Sequence, residues 1–308
     1  MEKLIVSSSP HIRGSDTTAK IMRDVIIALM PCVIAGTVIF GFRALITVLT
    51  TTFFAVLTEF LCRVVMKRRQ TVNDLSAVVT GIILGLILPP EINLLIAAFG
   101  SVVAIIVIKQ MFGGIGQNFA NPACTARIVL LLSFSAKMSM WSTPNTFITK
   151  ASDALTSATP LVSKSATYLQ LLTGETAGCI GETCVIAILL GFAYLLFRKV
   201  INPIITVSFL GSAALMSLFL GADVLYQLMS GGLLFGAVFM ATDYSTSPIN
   251  PWAKIVFGIG CGVITMLIRV FGALPEGVSY AILIMNIISP QLDNIFISKP
   301  FGVVKSKN

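Results

Sequence analysis

Ten apolar runs follow one another along this chain, at roughly 22–42, 44–65, 77–89, 92–112, 122–135, 180–197, 203–221, 224–240, 254–272 and 277–290. Nothing else in the sequence limits the fold so strongly. Runs this long and this closely spaced are buried in a lipid bilayer, whose core takes ~20 apolar residues per helical crossing. Composition agrees: 56% of the 308 residues are hydrophobic and 11% charged, against about 45–50% and about 25% in soluble globular chains. A large soluble domain, a disordered chain and a disulfide scaffold are excluded. Lipid offers no partners to backbone polar groups, so spanning segments of this kind must be helical. The expected fold class is an all-α integral membrane protein with about ten transmembrane helices. Several runs fall short of ~20 residues and are interrupted by Gly, Pro or Asn. Such short or broken helices line buried sites in which the freed backbone finds protein partners.

The net charge of +8 is loop charge that orients the chain rather than a nucleic-acid surface. With the N-terminus inside and one crossing per run, only Arg43, Lys137, Lys150, Lys164 and Arg269 fall outside. A split this lopsided predicts cytoplasmic termini. It divides the chain into an N-terminal segment (1–21), a first five-helix half (22–135), an outer loop (136–178), a second five-helix half (179–290) and a C-terminal tail (291–308). Residues 1–20 are polar and carry no cleavable signal,.

The halves look structurally related. In each, an apolar helix runs into a polar stretch: Gly113-Gly114-Ile115-Gly116-Gln117-Asn118-Phe119-Ala120-Asn121-Pro122 in the first, Thr242-Asp243-Tyr244-Ser245-Thr246-Ser247-Pro248-Ile249-Asn250-Pro251 in the second. Repeats with interrupted helices are typical of membrane folds that handle ions or solutes. The glycine run lacks the strand and βαβ context of a dinucleotide fingerprint. It is either a packing turn or a gate or ligand loop, with Gly114, Gln117, Asn118 and Asn121 as contacts and Lys109 and Arg127 anchoring helix ends. Asp243, beside Thr242, is either the cap of the next helix or a carboxylate set among hydroxyls for a cation or a polyol chain. Glu182, at the outer edge of the sixth run, is either an interfacial side chain or a ligand contact. Glu59 lies four residues before Arg63, the spacing of an intrahelical ion pair. Cys32, Cys62, Cys124, Cys179, Cys184 and Cys261 form no C-x-x-C pair, and His11 is the one histidine. No metal site within the chain is expected; a cluster shared with a partner chain stays open.

One further stretch is the outer-loop sequence Asp153-Ala154-Leu155-Thr156-Ser157-Ala158-Thr159-Pro160. By residue type alone it is a small-residue turn presenting hydroxyls and one carboxylate. It resembles the flavinylation motif D-x-x-[S/T]-G-A-T, carried here by Asp153, Thr156, Ser157, Ala158 and Thr159, with Ser157 at the usual glycine. Ser9-Pro10-His11-Ile12-Arg13, the Gly113–Ala123 stretch, Gly181-Glu182-Thr183, Ala241-Thr242-Asp243, Glu276-Gly277 and Met285-Asn286 are similar to the same family. This is the RnfD/NqrB family, the membrane flavoproteins of two related complexes. RnfD belongs to the Rnf ferredoxin:NAD oxidoreductase, and NqrB to the sodium-translocating NADH:quinone reductase. NqrB usually carries an N-terminal extension, so the resemblance favours RnfD.

That resemblance implies FMN joined to Thr159 by a phosphodiester, installed by a separate flavin transferase, on the outer side of the bacterial inner membrane. It implies a second, noncovalent flavin (riboflavin) in some members. The chain would carry electrons as one member of a complex with other Rnf subunits, surrounded by lipid, in a reaction coupled to Na⁺ or H⁺ translocation. It would not act alone. A flavin suits the role because it passes electrons singly and the protein tunes its potential. The reading from another class is a secondary transporter or channel without redox chemistry, which broken helices and repeats fit equally well.

Overall fold

The computed structural model describes residues 17–142, 144, 161, 166–272 and 277–296. Every apolar run becomes helix. The helices are α1 (Thr18–Phe40), α2 (Phe42–Val65), α3 (Ser76–Leu86), α4 (Leu94–Val103, continued as a π-helix over Ala104–Gln110) and α5 (Pro122–Ser133). They are followed by α6 (Val185–Phe197), α7 (Ile204–Phe219), α8 (Leu233–Phe235, continued as a π-helix over Gly236–Met240), α9 (Pro251–Phe271) and α10 (Val278–Ile295). The expectation of an all-α membrane protein holds.

Lengths divide the helices into two kinds. α1, α2 and α9 have 23, 24 and 21 residues and reach ~32–36 Å at ~1.5 Å per residue, enough to cross the ~30 Å hydrocarbon core. α3 and α5 have 11 and 12 residues and reach only ~16–18 Å. The run at 224–240 is not one helix: Val224–Met229 stops at Ser230, which is extended, and Gly231 turns the chain at φ 64° before α8 begins. Two successive glycines make that break cheap. α10 continues through Pro290 to Ile295, past the expected end of its run.

The irregular backbone left by the short helices is buried and satisfied. Ile87 and Leu88, beyond α3, are fully buried. The carbonyls of Leu86 and Leu88 accept from Gly181 N (2.7 Å) and Ile180 N (3.2 Å), in the loop before α6. Each half thus supplies the partners that lipid cannot. Asp24 of α1 accepts from Arg198 Nη2 (3.2 Å) and Tyr194 Oη (3.2 Å), tying α1 to the end of α6.

Close helix approach rests on small residues. Gly81 and Gly85 of α3 lie against the α2 backbone at Thr52 and Val48, and Gly258 and Gly262 of α9 against Ser208 and Ser212 of α7. A Cβ on Gly262 would stand 2.0 Å from Ser212 Oγ and 2.6 Å from Phe209 O, whereas one on Gly211 would meet nothing within 4 Å. Gly262→Ala is expected to destabilise the protein by about 1–3 kcal/mol. Thermal unfolding in detergent, with Gly211→Ala as the control, checks this; equal melting temperatures would refute it.

Loops gather at two ends. Thr18, Ile115, Asn118, Asp243, Ser247 and Asp293 line one opening, while Arg43, Glu91, Asn93 and Lys137 line another.

Candidate functional site

The two polar stretches meet. Each follows a π-helical segment and ends at an Asn that caps a Pro-led helix. Asn121 Oδ1 accepts from Ala123 N (3.0 Å) and Cys124 N (3.3 Å), while its Nδ2 donates to Met240 O (3.1 Å) at the end of α8. In the second stretch the cap of α9 is Asn250, whose Oδ1 accepts from Trp252 N at 3.0 Å. Asp243 is therefore not a helix cap. Its carboxylate accepts from Ser245 Oγ (3.0 Å) and Thr246 Oγ1 (3.3 Å), folding the loop on itself.

Between the stretches lies a two-lobed cavity that opens at the Thr18 end. The inner lobe, of about 90 Å³, is lined by Asn118, Asn121, Thr242 and Asp243 together with Ser76, Thr80 and Lys109. The outer lobe, of about 630 Å³, shares Asn118 and Asp243 and adds Asn286, Ser289 and Asp293. Both open to the exterior, and the outer lobe is large enough for a cofactor-sized molecule, with the inner lobe as a narrow extension of it,. Asn286 is only 2% exposed, and neither of its amide atoms has a hydrogen-bond partner; nor does Asn118 Oδ1. A buried polar group left unpaired costs about 1–3 kcal/mol. Donors, acceptors and a carboxylate on otherwise apolar walls suit a planar heteroaromatic ligand with a hydroxylated chain. A flavin fits that donor set.

Gly114 and Gln117 do not line the cavity. Gly114, at φ 109°, lets the turn pass the Arg63 guanidinium, where a Cβ would stand 2.3 Å from Nη2. Gln117 is exposed and folds against Gly113.

Two buried ion pairs revise the readings from spacing. Glu59 does not pair with Arg63. Its Oε2 accepts from Lys109 Nζ (2.9 Å), and its Oε1 accepts from Gln110 Nε2 (3.1 Å) and Thr71 Oγ1 (2.9 Å). Lys109 Nζ also donates to Ser76 Oγ at 2.6 Å. Glu59 is 0% and Lys109 2% exposed, so Lys109 is not a helix-end anchor. The π-helical segment changes the angular step along α4 and turns Lys109 and Gln110 toward α2. The sequence signal was present: a carboxylate and an ammonium each embedded in an apolar run.

The second pair joins Arg127 of α5 to Glu182, Nη1 to Oε1 at 3.3 Å. Arg127 also donates to Ser279 Oγ (3.3 Å) and Cys179 Sγ (3.2 Å). Both residues are about 5% exposed or less, so Glu182 is not a water-facing interfacial residue, and it stands apart from the cavity. Its carboxylate rests on Gly232, where a Cβ would come within 2.4 Å of Oε1.

At the opposite end, Tyr168 Oη donates to Asp223, and this hydrogen bond holds the exposed Asp223 carboxyl below the usual carboxylate range,. The flavinylation-like residues Asp153, Thr156, Ser157, Ala158 and Thr159 lie outside the described residues.

Comparison with known proteins gives the family. The sequence profile of the NQR2, RnfD, RnfE family matches residues 5–302. The chain is 42% identical to the D subunit of the Na(+)-translocating ferredoxin:NAD(+) oxidoreductase complex of Acetobacterium woodii, covering 99% of this chain and 97% of that one. It is 37% identical to the D subunit of the proton-translocating ferredoxin:NAD(+) oxidoreductase complex of Clostridium ljungdahlii, covering 96% of each. A third relative, the D subunit of the ion-translocating oxidoreductase complex of Stutzerimonas stutzeri, is 34% identical over 92% of each chain. With apolar helices throughout its described residues and a match over nearly its whole length, the chain belongs to the NQR2, RnfD, RnfE family.

Proposed function

We propose that this chain is the RnfD component of an ion-translocating ferredoxin:NAD oxidoreductase complex, a membrane redox protein with two flavin stations. One is FMN held covalently by Thr159 in the outer loop, placed there by a flavin transferase. The other is a noncovalent flavin, riboflavin in kind, in the cavity between the two polar stretches. The observation that carries this reading is the convergence of Asn118, Thr242, Asp243 and Asn286 on one cavity, in a chain that aligns with its RnfD relatives over nearly their full length.

A flavin bound there supplies one- and two-electron transfer. The chain itself supplies orientation and polarity. The Asn118 and Asn286 amides offer hydrogen bonds to the ring edges. Asp243, braced by Ser245 and Thr246, offers its free lone pairs to a hydroxylated chain. Asn121 is spent on the framework, capping α5 and holding α8. Ferredoxin and NAD react on partner subunits of the complex, since this chain carries no dinucleotide fingerprint.

The purified protein should be yellow, and denaturing a Thr159→Ala form should release one flavin into solution. A colourless protein, made beside an active flavin transferase, would return the chain to the transporter class.

For topology, the charge split supports both termini and the cavity mouth on the cytoplasmic side of the bacterial inner membrane. A cysteine at Lys164, with Cys62 and Cys184 replaced by serine, should then react with a membrane-impermeant thiol reagent added from outside. Labelling that required permeabilisation would reverse the orientation.

A further inference from the structure

We propose that Lys109 is the charge-compensating residue of the cavity: its ammonium, backed by Glu59, is the positive pole that meets the negative charge gained by the bound flavin on reduction. The inference rests on the flavin reading of the cavity.

Three observations carry it. Lys109 and Ser76 line the cavity wall. Glu59 takes no part in that lining and is held on the far side of the ammonium by Gln110 and Thr71. The pair is thus a dipole with its positive end toward the cavity. Lys109 Nζ donates to Glu59 and to Ser76, and an ammonium has three N–H groups, so one donor remains. The Asp243 carboxylate lines both lobes, so a ligand in the outer lobe has it as an anionic neighbour and the Lys109 ammonium, in the wall of the adjoining inner lobe, as a cationic one.

The electrostatics follow. In a buried site a charge acts more strongly than in water. An electron delivered by a reduced carrier protein adds one negative charge to the flavin. Lys109 stays an ammonium and gives up no proton, so the charge is balanced through space. Lys109 therefore favours the reduced form, and Glu59, farther away, opposes it. A carboxylate partner is what makes a buried ammonium tolerable.

The test uses the full chain carrying Thr159→Ala, so that only the cavity flavin reports, titrated at an electrode with mediators. Lys109→Gln should lower the midpoint potential by at least a tenfold change in the one-electron equilibrium, 59 mV. Glu59→Gln should raise it, and the neutral pair Glu59→Gln/Lys109→Gln should lie below the parent but above Lys109→Gln. Shifts of opposite sign are a signature that a packing defect does not produce. Should a single variant fail to fold, the neutral double variant, which strands no charge, still reads the loss of the dipole, and Lys109→Arg should keep the parent potential. Flavin bound at an unmoved potential, or both single variants shifting the same way, overturns the proposal alone. A parent that retains no flavin overturns the cavity reading and this proposal with it.

Discussion

Thr159→Ala is expected to remove all covalently bound flavin from this chain while leaving it inserted and folded. The proposed bond is a phosphodiester, and only the threonine hydroxyl supplies its protein oxygen. Alanine differs from threonine by that hydroxyl and a methyl group, and it has none to offer. In the proposed motif Asp153, Thr156, Ser157 and Ala158 would serve recognition by the transferase, and none of them would replace the acceptor. The effect is therefore all or none. After co-expression with a flavin transferase, the wild-type band should fluoresce under ultraviolet light on a denaturing gel and the Thr159→Ala band should be dark at equal protein. Yield and melting temperature should match, because the sequence around residue 159 is polar and falls between two apolar runs. A fluorescent mutant band would move the attachment site, and a mutant that fails to accumulate would make Thr159 structural. A dark wild-type band beside a labelled control substrate would leave the loop an ordinary Ser/Thr turn.

Arg127→Met should be the most destabilising single change among the described residues of α5. It leaves the Glu182 carboxylate in a site 4% exposed without its guanidinium. Breaking a buried pair from one side costs about 3–5 kcal/mol, because the remaining charge is uncompensated. It also deprives Ser279 and Cys179 of a donor. The double variant Arg127→Met/Glu182→Met removes both charges and should recover most of the loss. Thermal or SDS unfolding of the four forms in detergent closes the cycle. Additive losses would mean that the two residues do not depend on each other.

The fold was legible because the bilayer translates run length into helix directly. The joining of the two polar stretches was foreshadowed too, since the charge split put both on one side. What stayed hidden was any partnership across long separations. Arg63 was the visible partner for Glu59, four residues on, yet the true partner, Lys109, lies fifty residues away and reaches α2 only through a π-helical step. Asp243 looked like a cap because it ends an apolar run, but the chain needs six more residues before Asn250 and Pro251 can start α9. Arg127 and Glu182 looked like interfacial charges because a sequence does not show that the loop before α6 dips beside α3. The Thr159 loop was read from its motif alone, and the described residues add nothing to it.

The short helices change where the membrane voltage falls. In the proposed orientation the cavity would open to the cytoplasmic face and reach the capped N-terminus of α5, so little voltage would drop along it. Most would drop across a layer the length of α5, ~18 Å at ~1.5 Å per residue, instead of the full ~30 Å of hydrocarbon. A charge moving through that septum feels almost the whole potential, about 2.3 kcal/mol per 100 mV, over roughly half the distance. Electron passage between a flavin in the cavity and one outside would therefore be sensitive to the energised state of the membrane, even with no part of the chain moving.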